Sequence, residues 1–84
     1  MGMSYTNELI RHAKKLGQSL SVERSDDTNK YLVRIDMVGY KDGYLRQSIF
    51  GIGFTIEDAC YDFIRKCKGG YLAHYITEDE LRIP

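Results

Sequence analysis

The chain has 84 residues, with 12 Lys and Arg balanced by 12 Asp and Glu, so it carries no formal net charge. That length supports one core and one domain, residues 1–84, with no compositional break inside it. The charge balance argues against a domain held to nucleic acid by bulk positive charge, and no apolar run approaches the roughly 18 residues of a membrane span.

No charged-then-apolar leader opens the chain, so the expected location is the cytoplasm; Met1-Gly2 ahead of Met3 reads as a cloning remnant. Ser4 is placed to cap a first helix in which Tyr5, Leu9, Ile10, Ala13 and Leu16 recur at helical spacing, with Gly17 as its left-handed stop. From Gln18 the period changes to two. Leu20 and Val22 alternate with polar residues, and Ser25 to Asn29 supply turn formers. Tyr31, Val33, Ile35 and Met37 form the clearest strand, with Leu32 and Val38 on its otherwise polar face.

Gly39 to Gly43 reads as a hairpin connection ending in Asp-Gly, and Tyr44 to Phe50 as the returning strand, apolar on both sides. Gly51-Ile52-Gly53-Phe54-Thr55 leads into a second helix, with Thr55 as N-cap and Asp58 at its third position. Ile56, Ala59, Cys60, Phe63, Ile64 and Cys67 make its core stripe, which Gly69-Gly70 ends. Glu57 falls on the exposed side, where replacement by Lys is expected to leave stability unchanged. Residues 71–84 read as a strand former followed by a short extended tail packed on the second helix or the sheet. The fold class is therefore α+β, in the order αβββα, with a three-stranded antiparallel sheet and two helices on one face.

The chemistry of this pattern is sparse. Cys60 and Cys67 lie about 10.5 Å apart along a helix, too far for a disulfide, and read as small core residues of a reducing compartment. His12 and His74 are separated and fit no metal-ligand spacing, and a Cys67–His74 nucleophilic pair would require the tail to fold back onto an exposed thiol. Gly51-x-Gly53 lacks the third glycine of a dinucleotide loop and the Gly-Lys-Ser/Thr of a P-loop, so it reads as a structural turn. No catalytic residue, metal or cofactor is expected.

Seven tyrosines in a chain without Trp point to contact surface instead. Tyr40 and Tyr44, with Leu32, Arg34, Arg46 and Phe50, are the candidate protein interface, on the sheet face away from the helices. The alternative is a nucleic-acid surface of Arg11, Lys14 and Lys15 on the first helix with Arg65, Lys66 and Lys68 at the end of the second.

The order helix, three strands, helix, with Gly51-x-Gly53-x-Thr55-x-x-x-Ala59 opening the second helix, resembles the double-stranded-RNA-binding domain over residues 4 to 68. In that family RNA is held by the first helix, the loop between the first two strands and a Lys-rich start of the second helix. Here that start reads Ile56-Glu57-Asp58-Ala59, and the loop Ser25 to Asn29 lacks the family's Gly-Pro-x-His, so the resemblance implies the fold without the RNA activity. Residues 57–66, then Gly69-Gly70, an apolar strand and a basic-apolar-Pro terminus, resemble small uncharacterised proteins of phages and prophages of Gram-positive bacteria. That likeness implies an accessory protein in a bacterial cytoplasm, with anti-CRISPR or anti-restriction inhibition of host defence among its forms. The favoured partner is a protein or a second copy of the chain, with nucleic acid as the alternative and no membrane.

Overall fold

A computed structural model describes residues 4–84, so the expected start at Met3 lies outside the described residues. Helix α1 covers Tyr5–Lys15, and the Ser4 hydroxyl accepts from the Asn7 amide at 3.0 Å, as its capping role requires. Its end is a full Schellman closure. Gly17, at φ +71, donates to Lys14 and Gln18 donates to Ala13. Helix α2 covers Ile56–Cys67, capped by the Thr55 hydroxyl on the Asp58 amide at 3.0 Å. Its predicted stripe is buried from Ala59 to Cys67, whereas Ile56 remains exposed.

Strands β1 (Leu20–Ser25), β2 (Lys30–Ile35) and β5 (Gly51–Gly53) form one antiparallel sheet in the order β1-β2-β5. Strands β3 (Val38–Asp42), β4 (Leu45–Gln47), β6 (Tyr71–His74) and β7 (Glu80–Arg82) form a second, in the order β4-β3-β6-β7. The single three-stranded sheet expected from the sequence is thus replaced by two sheets.

The cause is a slip of register within one long hairpin. Val33 pairs with Gly51 and Tyr40 with Gln47, leaving six residues, 34–39, on one arm opposite three, 48–50, on the other. The longer arm bends at Asp36-Met37, where Met37 adopts φ +61. The bend is held by neighbours on the same edge, since the Asp36 amide donates to Ser19 and the Met37 carbonyl accepts from Tyr75. The expected returning strand Tyr44–Phe50 is accordingly broken after Gln47.

Three glycines were misleading for a common reason. Gly39, expected in the hairpin connection, lies inside β3, and the turn itself is Gly43-Tyr44 with Gly43 at φ +61. A Cβ on Gly39 would stand 2.7 Å from the Tyr75 hydroxyl. Gly51 and Gly53 form β5 rather than a connecting turn, and α2 lies directly on them. A Cβ at Gly51 would stand 2.7 Å from the Phe63 nitrogen, and one at Gly53 2.7 Å from the Ala59 nitrogen. These glycines permit close approach of backbones, which in the sequence is indistinguishable from turn formation.

The tail is also more deeply built in than expected. β6 is an interior strand, and β7 pairs with it through Leu72↔Leu81. Ile83 is buried, and its backbone exchanges hydrogen bonds with Gly69 and Gly70 just beyond α2. The core forms where α1, α2 and the inner faces of both sheets meet, around Phe63, Leu9, Ile35, Leu72 and Ile83.

Glu57 departs most clearly from its expected exposed role. Its carboxylate accepts from the amides of Tyr5 and Thr6 and from the Thr6 hydroxyl, so α2 caps the start of α1. The two helix N-termini lie side by side, with the Tyr5 and Tyr61 rings edge to face at 4.8 Å.

Candidate functional site

The register slip opens a groove of about 540 Å³ between the two sheets. One wall is Arg34 to Val38 with Leu32, the other is Ser48, Ile49 and Phe50, and Tyr75 closes one side. Residues directly opposite in an antiparallel pair share a face. Glu23↔Leu32 and Leu32↔Ile52 therefore run across the outer face of the β1-β2-β5 sheet, while Val33 and Ile35 point inward and are buried. Phe50, Ile52, Phe54 and Met37 are all exposed around this face.

The charges at the groove leave it accessible. Arg34 faces Glu23 at 3.7 Å, an exposed pair of the kind that contributes little to stability. Lys66 lies 4.9 Å from the centre of the Phe50 ring, donates to the Phe50 carbonyl at 3.0 Å and pairs with Asp62 at 2.9 Å. Asp62 also accepts from Arg65 and from the Ile52 amide. Burial pushes the Asp62 carboxyl up, but the hydrogen bonds from Lys66, Arg65 and Ile52 outweigh it and hold the group down to about 2. The bond to Ile52 also occupies an amide on the edge strand β5, which leaves that edge less open to pairing with another chain.

The six residues expected to share an interface are divided by the fold. Leu32, Arg34 and Phe50 meet at the groove. Tyr40 turns inward, packing against the core with its ring over Gly70, so its placement on the outer face is corrected. Tyr44 is fully exposed at the tip of the β3-β4 hairpin, and Arg46 stands on the other sheet beside Lys41. Ile52, Met37, Ile49 and Tyr75 were missed. Ile52 carried a signal, an apolar residue between two glycines, which becomes informative only once its pairing with Leu32 is known.

Compared with protein-family models, curated proteins and solved structures, the chain matches none.

The cations at the helix ends are unequally free. Arg65 and Lys66 are both engaged by Asp62, whereas Arg11, Lys14, Lys15 and Lys68 form no ion pair among the described residues. The cysteines and histidines do not converge. Burial pushes the Cys67 thiol up to about 12, and its sulfur contacts the Ile64 carbonyl. His74 Nδ1 accepts from the amides of Ile76 and Thr77 at 3.0 and 3.1 Å, and its Nε2 lies 3.0 Å from the Gln18 side-chain amide. Both ring nitrogens thus have structural partners. Among the described residues no three His, Cys, Asp or Glu side chains are grouped to hold a metal ion, and no helix is long and apolar enough to cross a membrane.

Proposed function

We infer that the chain is a non-catalytic binding module whose ligand is a protein, a second copy of the chain included, taken on the outer face of the β1-β2-β5 sheet and in the adjoining groove. The observation that carries this reading is the apolar strip of Leu32, Ile52, Phe50 and Met37 beside Arg34. A domain of this size buries only about 60% of the surface of its unfolded chain, so a contiguous apolar strip left outside forgoes burial the fold could use, and such strips mark contact surfaces. Arginine next to aromatic and aliphatic side chains is also the composition of interface centres.

The absence of catalysis is part of the proposal. The perturbed acids, Glu57 and Asp62, hold helix starts and strand amides, and the buried thiols are poor nucleophiles. The two resemblances add a role. Two helices on antiparallel sheets, with the second helix opened as in the double-stranded-RNA-binding domain, in a phage or prophage accessory protein of the bacterial cytoplasm, fit a protein that blocks a host component, and inhibition of host defence is one form of that. The helix-end reading for duplex RNA or DNA is weakened by Asp62, which engages both Arg65 and Lys66.

Light scattering across a concentration series tests the self-association arm, comparing the wild type with a Phe50→Ser, Ile52→Ser variant. The expected result is a concentration-dependent dimer that the double variant loses while melting at a similar temperature. Wild type and variant both staying monomeric, and retaining the same proteins in pull-downs, would remove the outer face from consideration.

A further inference from the structure

The four-stranded sheet carries a second surface with different chemistry. Arg46 is directly opposite Lys41, Lys41 is opposite Tyr71, and Tyr71 is opposite Arg82. Because opposed residues share a face, these four side chains form one row across β4, β3, β6 and β7. Four strands at about 4.8 Å spacing make the row about 14 Å wide. It lies on the outer side, since the alternate residues Tyr40, Leu72 and Leu81 pack on the core. Arg46, Tyr71 and Arg82 are exposed, and among the described residues the only acid paired within the row is Glu80, which bonds Lys41.

The arrangement is unfavourable for the fold taken alone. Like charges directly opposite on a hairpin destabilise it, and Lys41 and Arg46 are such a pair. In a chain with no net charge, three cations lined up from the two arms of one hairpin and the distant strand β7, with an exposed aromatic ring among them, suit a ligand that is itself a line of negative charges. An isolated phosphate is too small to reach cations spread this widely. A duplex keeps its bases stacked and has none to offer Tyr71.

We propose that this face binds single-stranded nucleic acid, with Arg46, Lys41 and Arg82 on successive phosphates and a base stacked on the Tyr71 ring. Aromatic rings on an open sheet flanked by cations are a general solution for unpaired strands, because every base has a face to stack. Glu80 then acts as a competitor, occupying Lys41 until a phosphate displaces it.

The test is anisotropy of a short fluorescent oligothymidylate, and of its uridylate counterpart, titrated with the full chain at rising salt. Three phosphate contacts predict a log–log salt slope of about −2, reduced in magnitude by about 0.7 in each of Arg46→Gln and Arg82→Gln. Tyr71→Ser should weaken binding about 5- to 100-fold, with Tyr71→Phe restoring it. Glu80→Gln should bind more tightly than the wild type, a gain that misfolding cannot mimic. Arg11→Gln with Lys14→Gln should change nothing, and thermal melts accompany every variant. Four results would each overturn the proposal: no binding at low salt, equal affinity for a duplex, loss that follows Lys14 instead of Arg46, or a polyglutamate peptide competing as well as the oligonucleotide.

Discussion

Thr6 and Glu57 are joined twice: Oε1 of Glu57 accepts from the Thr6 amide at 2.9 Å and from its hydroxyl at 2.7 Å, while Oε2 takes the Tyr5 amide at 2.8 Å. The first amides of a helix have no partner within it and carry the positive end of its dipole, so a carboxylate there satisfies both needs. The Thr6 hydroxyl, then the Thr6 and Tyr5 amides, hold the Glu57 carboxyl below its ordinary value. Its contribution is therefore present above the usual glutamate range and is lost as pH falls through the lowered value. Glu57→Lys is expected to melt below the wild type, with Glu57→Gln between them because it keeps an acceptor. A Lys variant that melts with the wild type would show that the contact carries no stability.

Asp62 makes the second acid-dependent link, joining α2 to the edge strand through the Ile52 amide at 3.0 Å. Its carboxyl lies at about 2 against an ordinary 3.8, so the folded state binds its proton less readily than the unfolded chain. Stability from this group is full above about pH 4 and disappears between there and about pH 2. With screening by solvent the loss is about 1 kcal/mol. Urea titrations of wild type and Asp62→Asn between pH 2 and 5 should converge at the acid end and separate at the upper end. Curves that stay parallel would contradict the assignment.

The glycines separate two mechanisms that look alike in sequence. At Gly51 the obstacle is contact, since an added methyl would enter the Ala59 carbonyl and press on Phe63. At Gly43 nothing lies within 4 Å, and the obstacle is only its φ of +61. Gly51→Ala is expected to cost about 3 kcal/mol, as overpacking of a tight core does, and Gly43→Ala about 1. Thermal melts that rank them in the reverse order would mean that α2 does not ride on β5 as closely as described.

What could be read from the sequence was mostly local. Ser4, Gly17 and Thr55 act within a few residues of themselves, and each does what its position implied. The two helices and the buried stripe of α2 follow from period alone. The division into two sheets does not, because it depends on a three-residue slip that only the pairing of distant strands sets. Gly39 and Gly51 carry the same letter as a turn glycine, although their role is to admit Tyr75 and α2. The row from Arg46 to Arg82 was hidden for the same reason. It exists because residues 71–74 enter the sheet as an interior strand, and nothing near Tyr71 in the sequence announces Lys41 as its neighbour.

His12 sets the pH dependence at the other end of the acid range. It is buried on α1 with both ring nitrogens lacking a hydrogen-bond partner, and the Glu8 carboxylate lies 3.7 Å away. Burial lowers its pKa below 6.5; Glu8 opposes this, while Lys15 and Arg11 add to it. The unfolded chain therefore takes up the proton first. Stability is unaffected by His12 above the unfolded value and falls as pH drops below about 6.5, until the folded imidazole also protonates. His12→Leu removes both the titration and two unsatisfied polar atoms, so it should raise stability by about 1 kcal/mol near neutrality and more at pH 5. Denaturant titrations of the two proteins at pH 7.5, 6.5 and 5.5 check this. The gap between them should widen toward acid, and a gap that is constant or closes would mean that His12 finds a partner when protonated, with Glu8 the nearest one.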